Sequence, residues 1–122
     1  MAEFKPRISF DFDGVIHSYT SGWKGAEVIP DPPVPGIKET MKALKDRGYE
    51  IVVCSSRCLT HEGLFAVRRY LQTHGIPFDQ VTVEKTPALV YVDDRAICFD
   101  GNSCALLGKI LNFKPWYQKV NT

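Results

Sequence analysis

Four short apolar runs, at 7–11, 49–54, 80–83 and 88–92, alternate with segments whose apolar residues recur at helical spacing. Strand, helix, strand in succession predicts parallel pairing with right-handed crossovers, and this pattern excludes all-α and all-β architectures. The run Tyr49–Cys54 is rich in β-branched residues, as a buried strand should be. Over 36–47, Ile37, Met41 and Leu44 fall on one helical face, with Pro35 before them and Gly48 after. Over 60–74, Leu64, Val67 and Leu71 do the same, with Thr60 as N-cap and Gly75 as the stop. A fifth strand is expected over 96–99 and a third helix over 103–111, with Phe113, Trp116 and Tyr117 packing back on the core. The expectation is an α/β fold, a three-layer sandwich with a mostly parallel sheet. A length of 122 residues suits one domain over 1–122.

Two segments break the alternation. Residues 18–35 form a long insert after the first strand, read as a small hairpin flap turning near Gly22–Gly25 and then a proline-rich connector. The stretch Glu84–Pro87 is very short for a parallel crossover, so either the third strand is irregular or the chain returns in an extended loop.

In open parallel sheets, ligands bind beyond the carboxyl ends of the strands. Three polar groups fall there: Asp11 with Asp13, then Ser55, then Asp93 with Asp94. On a strand, side chains two apart share a face, so Asp11 and Asp13 point the same way. Like charges so placed repel, and a cation is the simplest compensation. Gly14 marks a sharp turn directly after them.

Composition narrows the partners. A formal net charge of +1 gives no global pull toward nucleic acid or anionic membrane, so nucleic acid is not favoured. Lys42, Lys45, Arg47, Arg68 and Arg69 are read as solvated helix faces. No apolar run reaches the roughly 18 residues of a membrane span, and the N-terminus lacks a signal-peptide core. Cys54, Cys58, Cys98 and Cys104 form no C-x-x-C pair and read as reduced thiols. A cytoplasmic location is expected. His17, His61 and His74 show no zinc spacing, and His17 reads as a loop histidine.

With these residues in view, the chain resembles the haloacid dehalogenase (HAD)-like hydrolases, as a small capless phosphatase with a Rossmann-like core. The resemblance covers about 8–101 and rests on Asp11-x-Asp13, Ser55, Lys85 and Asp93-Asp94, in that order. It implies a Mg²⁺-dependent phosphomonoester hydrolase with Asp11 as nucleophile and metal ligand. Asp13 would then be the acid–base residue, lending the metal its backbone carbonyl. Asp94 aligns with the direct metal ligand, and Asp93 acts through water or positions a neighbour. Ser55, with Ser56 as competitor, would donate to the phosphoryl group, and Lys85 would neutralise charge. Independently of the resemblance, Mg²⁺ takes hard oxygen ligands and relieves repulsion between a carboxylate and a phosphate dianion.

Arg57 and Arg95 could pin either the carboxylates or the phosphate, or form structural ion pairs. Trp23 and Lys24, with Tyr19 before them, could contact the leaving group or pack on the sheet edge. With only a short flap the site should be open, suiting a phosphorylated macromolecule, or a small molecule if a second subunit closes it. Two alternatives stand beside this reading. One is a nucleotide or polynucleotide 3′-phosphatase. The other is an inert HAD-like module that binds phosphate or metal.

Overall fold

The alternating apolar residues of the first two strands build the core from one side. Ile8, Phe10, Ile51 and Val53 are buried together with Met41, Val67 and Leu71 in one cluster. The computed structural model describes residues 6–118, so the ends of the expected domain, 1–5 and 119–122, lie outside the described residues. The elements are β1 (Arg7–Asp11), α1 (Ile37–Asp46), β2 (Glu50–Cys54), α2 (His61–Thr73), β3 (Gln80–Thr82), β4 (Val90–Val92) and α3 (Ser103–Leu111). All strand pairs are parallel, in the order β3-β2-β1-β4. The architecture is an α/β fold with a parallel sheet, as the alternation predicts.

Local chemistry explains the boundaries. The Thr60 hydroxyl accepts from Gly63 N at 3.0 Å and starts α2. Gly63 has to be glycine, because a Cβ there would lie 1.8 Å from the Arg57 carbonyl oxygen. Lys45 of α1 binds Asp79 at 2.7 Å, and Asp79 also accepts from Ile51 N, joining helix, sheet edge and loop.

The sheet is covered unevenly. Helices α1 and α2 share the cluster on one face, where each fully buried aliphatic side chain contributes about 1.5–3 kcal/mol. Helix α3 has no buried residue and does not complete a third layer. The segment 83–89 returns as an extended strap: the Cys54 thiol lies near the Val83 and Glu84 carbonyls, and Arg7 binds the Pro87 carbonyl. The short crossover is therefore an extended loop.

Two expectations are corrected. Residues 96–99 form no strand among the described residues, because β4 pairs with β1 alone and the chain leaves the sheet after Val92. The insert 18–35 forms no hairpin flap. It is a run of turns held by single bridges, His17 to Asp13 and His17 to Pro33, and tied down from below by Arg57. No helix among the described residues is long and apolar enough to cross a membrane.

Candidate functional site

Register gathers the polar residues. Asp11 pairs with Cys54 across β1–β2, so Ser55 lies one residue beyond that level. Phe10 pairs with Val92, which places Asp93 level with Asp11. Ligand oxygens of Asp11, Asp93 and Asp94 all lie within 4.8 Å of one another, a spacing that could hold a metal ion. Asp94 Oδ1 is buried with no hydrogen-bond partner. Close approach depends on Gly14: its φ is +83°, and a Cβ there would lie 2.4 Å from Asp94 Oδ2. Burial first, then the adjoining Asp94 carboxyl and the charge of Asp93, push the Asp11 carboxyl up to about 8.

Asp13 has the opposite environment. Arg57 Nε donates to both of its oxygens, at 3.1 and 2.8 Å, and His17 Nδ1 lies 2.8 Å from Oδ1. Burial opposes the Asp13 charge, but the bonds from His17 and Arg57 outweigh it and hold the carboxyl below its usual range. The tautomer of His17 follows from its other nitrogen: Nε2 accepts from Asp31 N at 3.1 Å, so Nδ1 carries the proton that goes to Asp13. Asp31 is fixed in turn by the amide and hydroxyl of Ser21, and Tyr70 donates to its carbonyl.

Asp11, Asp13, Ser55, Ser56, Asp93 and Asp94 line one cleft of about 340 Å³. Tyr19, Trp23, Arg95 and Tyr117 complete its wall. Tyr19 has φ +61°, the only non-glycine residue with positive φ among those described, a strained conformation of the kind found at ligand sites. The Ser55 hydroxyl accepts from Arg57 N at 3.2 Å and caps the short 3₁₀ turn Ser56–Leu59. That bond uses an acceptor lone pair and leaves its proton free to donate. The Trp116 indole donates to the Gly14 carbonyl at 2.6 Å, pinning the C-terminal segment to the turn after β1.

Lys24 and His17 sit differently from the sequence reading, whereas Lys85 lines a neighbouring groove with Asp11 and Asp93 and Arg57 pins the Asp13 carboxylate, one of the roles left open for it. Lys85 is away from Asp13 because the strap that carries it crosses the open face of the sheet. Its ammonium lies 4.6 Å from the Tyr91 ring centroid. Arg57 is buried beneath the cleft and absent from its lining. Lys24 is exposed and does not line the cleft that Trp23 lines. His17 is buried, not a loop residue facing solvent. Its only signal in the sequence is the spacing of four from Asp13.

A scan against protein-family models and a search of curated proteins both return no match. Among solved structures, the chain is similar to "the conserved protein coded by locus from Bacteroides thetaiotaomicron", with a TM-score of 0.60 and 22% identity over 88% of this chain and 90% of that one. It is also similar to a chain in the Pnkp1/Rnl/Hen1 complex, with a TM-score of 0.55 and 16% identity over 93% of this chain and 36% of that one. At these identities the likeness is one of fold.

Proposed function

We propose that this chain is an HAD-like, Mg²⁺-dependent phosphomonoester hydrolase that works through an Asp11 phospho-enzyme. The observation that carries the reading is the group Asp11, Asp93 and Asp94, gathered from two strand ends beside Asp13 and Ser55. Its donor set fits a hard cation: carboxylate oxygens only, one of them buried and unpartnered. Mg²⁺ bound by these residues would neutralise phosphoryl charge and hold Asp11 ionised.

An Asp11 carboxylate oxygen attacks phosphorus, and the bond from phosphorus to the leaving oxygen breaks, that oxygen leaving with the bonding pair and taking its proton from solvent water. The Ser55 hydroxyl can donate to a phosphoryl oxygen. Water then hydrolyses the acyl phosphate, releasing inorganic phosphate and regenerating Asp11. Asp13 faces the same cleft as an ionised carboxylate, which suits it to accept the proton of that water. The same environment works against its donating a proton to the departing oxygen.

The test is hydrolysis of an aryl phosphate with and without chelator. Turnover should require Mg²⁺, and Asp11→Asn should abolish it while circular dichroism stays unchanged. Parental turnover by Asp11→Asn would overturn the assignment, and no turnover of a broad panel of phosphomonoesters would favour the inert binding module.

A second reading, a nucleotide or polynucleotide 3′-phosphatase, draws support from Tyr19, Trp23 and Tyr117 lining the cleft, where a base could stack. Trp23→Ala should then raise KM for nucleotides while leaving that for non-aromatic phosphate esters unchanged.

A further inference from the structure

We infer, resting on the metal-dependent reading of the cleft, that Tyr117 is a positioning residue of the acidic trio: its hydroxyl, set between Asp94 and Arg95, holds the Asp94 carboxylate in place for the cation.

The segment that carries Tyr117 lies beyond 8–101, the stretch in which the resemblance resides. It reaches the cleft through a turn closed by Gln118 N on the Pro115 carbonyl at 3.1 Å, with Trp116 and Tyr117 at its centre. The two aromatics do different work. Trp116 is 59% exposed, yet its indole donates to the Gly14 carbonyl at 2.6 Å. Tyr117 lines the cleft. Its ring stands edge-on to Trp116 and to Tyr19, at 88° to each, with centroids 5.7 and 5.6 Å away. The indole anchors the turn, and the two edge contacts set the plane of the phenol.

Gly14 permits the approach. The point where a Cβ of that residue would sit is 2.4 Å from Asp94 Oδ2 and 2.6 Å from Tyr117 Cε2, the ring carbon beside the one that bears the hydroxyl. The carboxylate and the phenol edge therefore share the space left by one absent side chain.

The hydroxyl has a donor on one side and an acceptor on the other. Arg95 Nε donates to it at 3.3 Å, so its own proton is free to be given. The Asp94 carboxylate is the acceptor it meets, and burial, then that bond, push the hydroxyl up to about 12. It thus stays a donor at neutral pH. Asp94 Oδ1 has no hydrogen-bond partner, which assigns the hydroxyl to Oδ2, the oxygen against Gly14. One oxygen of Asp94 is held and the other is left for a cation shared with Asp11 and Asp93. Carboxylates that bind metal are themselves hydrogen-bonded as a rule, and losing such a partner costs about 10–100-fold in metal affinity.

The test reads Mg²⁺ binding by titration calorimetry of the full chain, apart from any turnover. Tyr117→Phe removes the hydroxyl and keeps the ring contacts with Tyr19 and Trp116. Its Kd for Mg²⁺ should rise about tenfold or more over the parent's. Its metal-free Tm should match the parent's, whereas a merely structural tyrosine would lower that Tm and leave the Kd of the folded chain unchanged. In the metal-free chain, the carboxyl carbon shift of Asp94 should move and that of Asp13 should stay. A variant Kd equal to the parent's, or an unmoved Asp94 shift, overturns the proposal. A parent that binds no Mg²⁺ overturns the metal reading, and the proposal with it, and the parent's own titration shows this before any variant is made.

Discussion

Arg57 Nε lies 3.1 and 2.8 Å from the two carboxylate oxygens of Asp13, and the same guanidinium holds the insert. Its Nη1 donates to the carbonyls of Gly25, Ala26 and Val28 at 2.8, 2.9 and 3.2 Å, and Trp23 stacks over it with 4.6 Å to the ring centroid. One buried cation thus fixes both a cleft carboxylate and the loop that walls the cleft. Arg57→Ala should cost about 3–5 kcal/mol, the range for breaking one side of a buried ion pair. Arg57→Lys should lose the loop bonds, since an ammonium cannot match the planar fork. Urea unfolding gives the first quantity, and the rate of proteolysis within 23–28 reports the second.

His17 should prove as structural as it is local to the site. Replacing it with Leu removes the acceptor of the Asp31 amide and one donor to Asp13. Each buried group left unpaired costs about 1–3 kcal/mol. Carboxyl chemical shifts followed through an acid titration should show Asp13 moving up toward its ordinary value.

Without metal, stability should depend on pH in two opposed ways. Asp11 is raised from 3.8 to about 8, so between those values the folded chain holds a proton that the unfolded chain has released. Its contribution therefore falls as pH rises through that window. Asp13 is lowered, so its contribution is present above the ordinary carboxylate value and fades as pH drops through its own. Thermal unfolding in chelator should peak in mild acid, and Asp11→Asn should remove the decline toward pH 8. Added Mg²⁺ should raise Tm most at the alkaline end. An Asp11→Asn profile that still declines as the parent's does would refute the account.

Gly14→Ala should damage the cleft directly. Its Cβ would meet Asp94 Oδ2 at 2.4 Å and Tyr117 Cε2 at 2.6 Å, in a backbone conformation that already disfavours any side chain. A loss of more than about 1 kcal/mol is expected. The Mg²⁺-dependent gain in Tm should shrink with it, because Asp94 has to move.

The parts legible in the sequence are those with a local cause. Period and caps locate α1 and α2, and the apolar runs locate β1 and β2 with their polar ends. Because parallel strands all end at one rim, Asp11, Ser55 and Asp93 could be brought together before any coordinates. The parts that were not legible depend on distant partners. In the sequence Arg57 stays open between the carboxylates, the phosphate and a structural ion pair, because the partners that decide it lie 44 residues back at Asp13 and about 30 back in the insert. His17 is buried by an amide 14 residues away. The run at 96–99 has strand composition but finds no neighbouring strand, and composition alone cannot supply one.

The acidic trio is anchored in regions of unequal persistence. Asp11 ends the central strand, flanked on both sides, whereas Asp93 and Asp94 follow a three-residue rim strand with no packed helix above it. Amide exchange should therefore be fast at Val90–Val92 and slow at Ile8–Phe10. Any ligand that bridges Asp11 and Asp94 staples the looser part to the firmer, so occupancy would register first as slowed exchange at that rim.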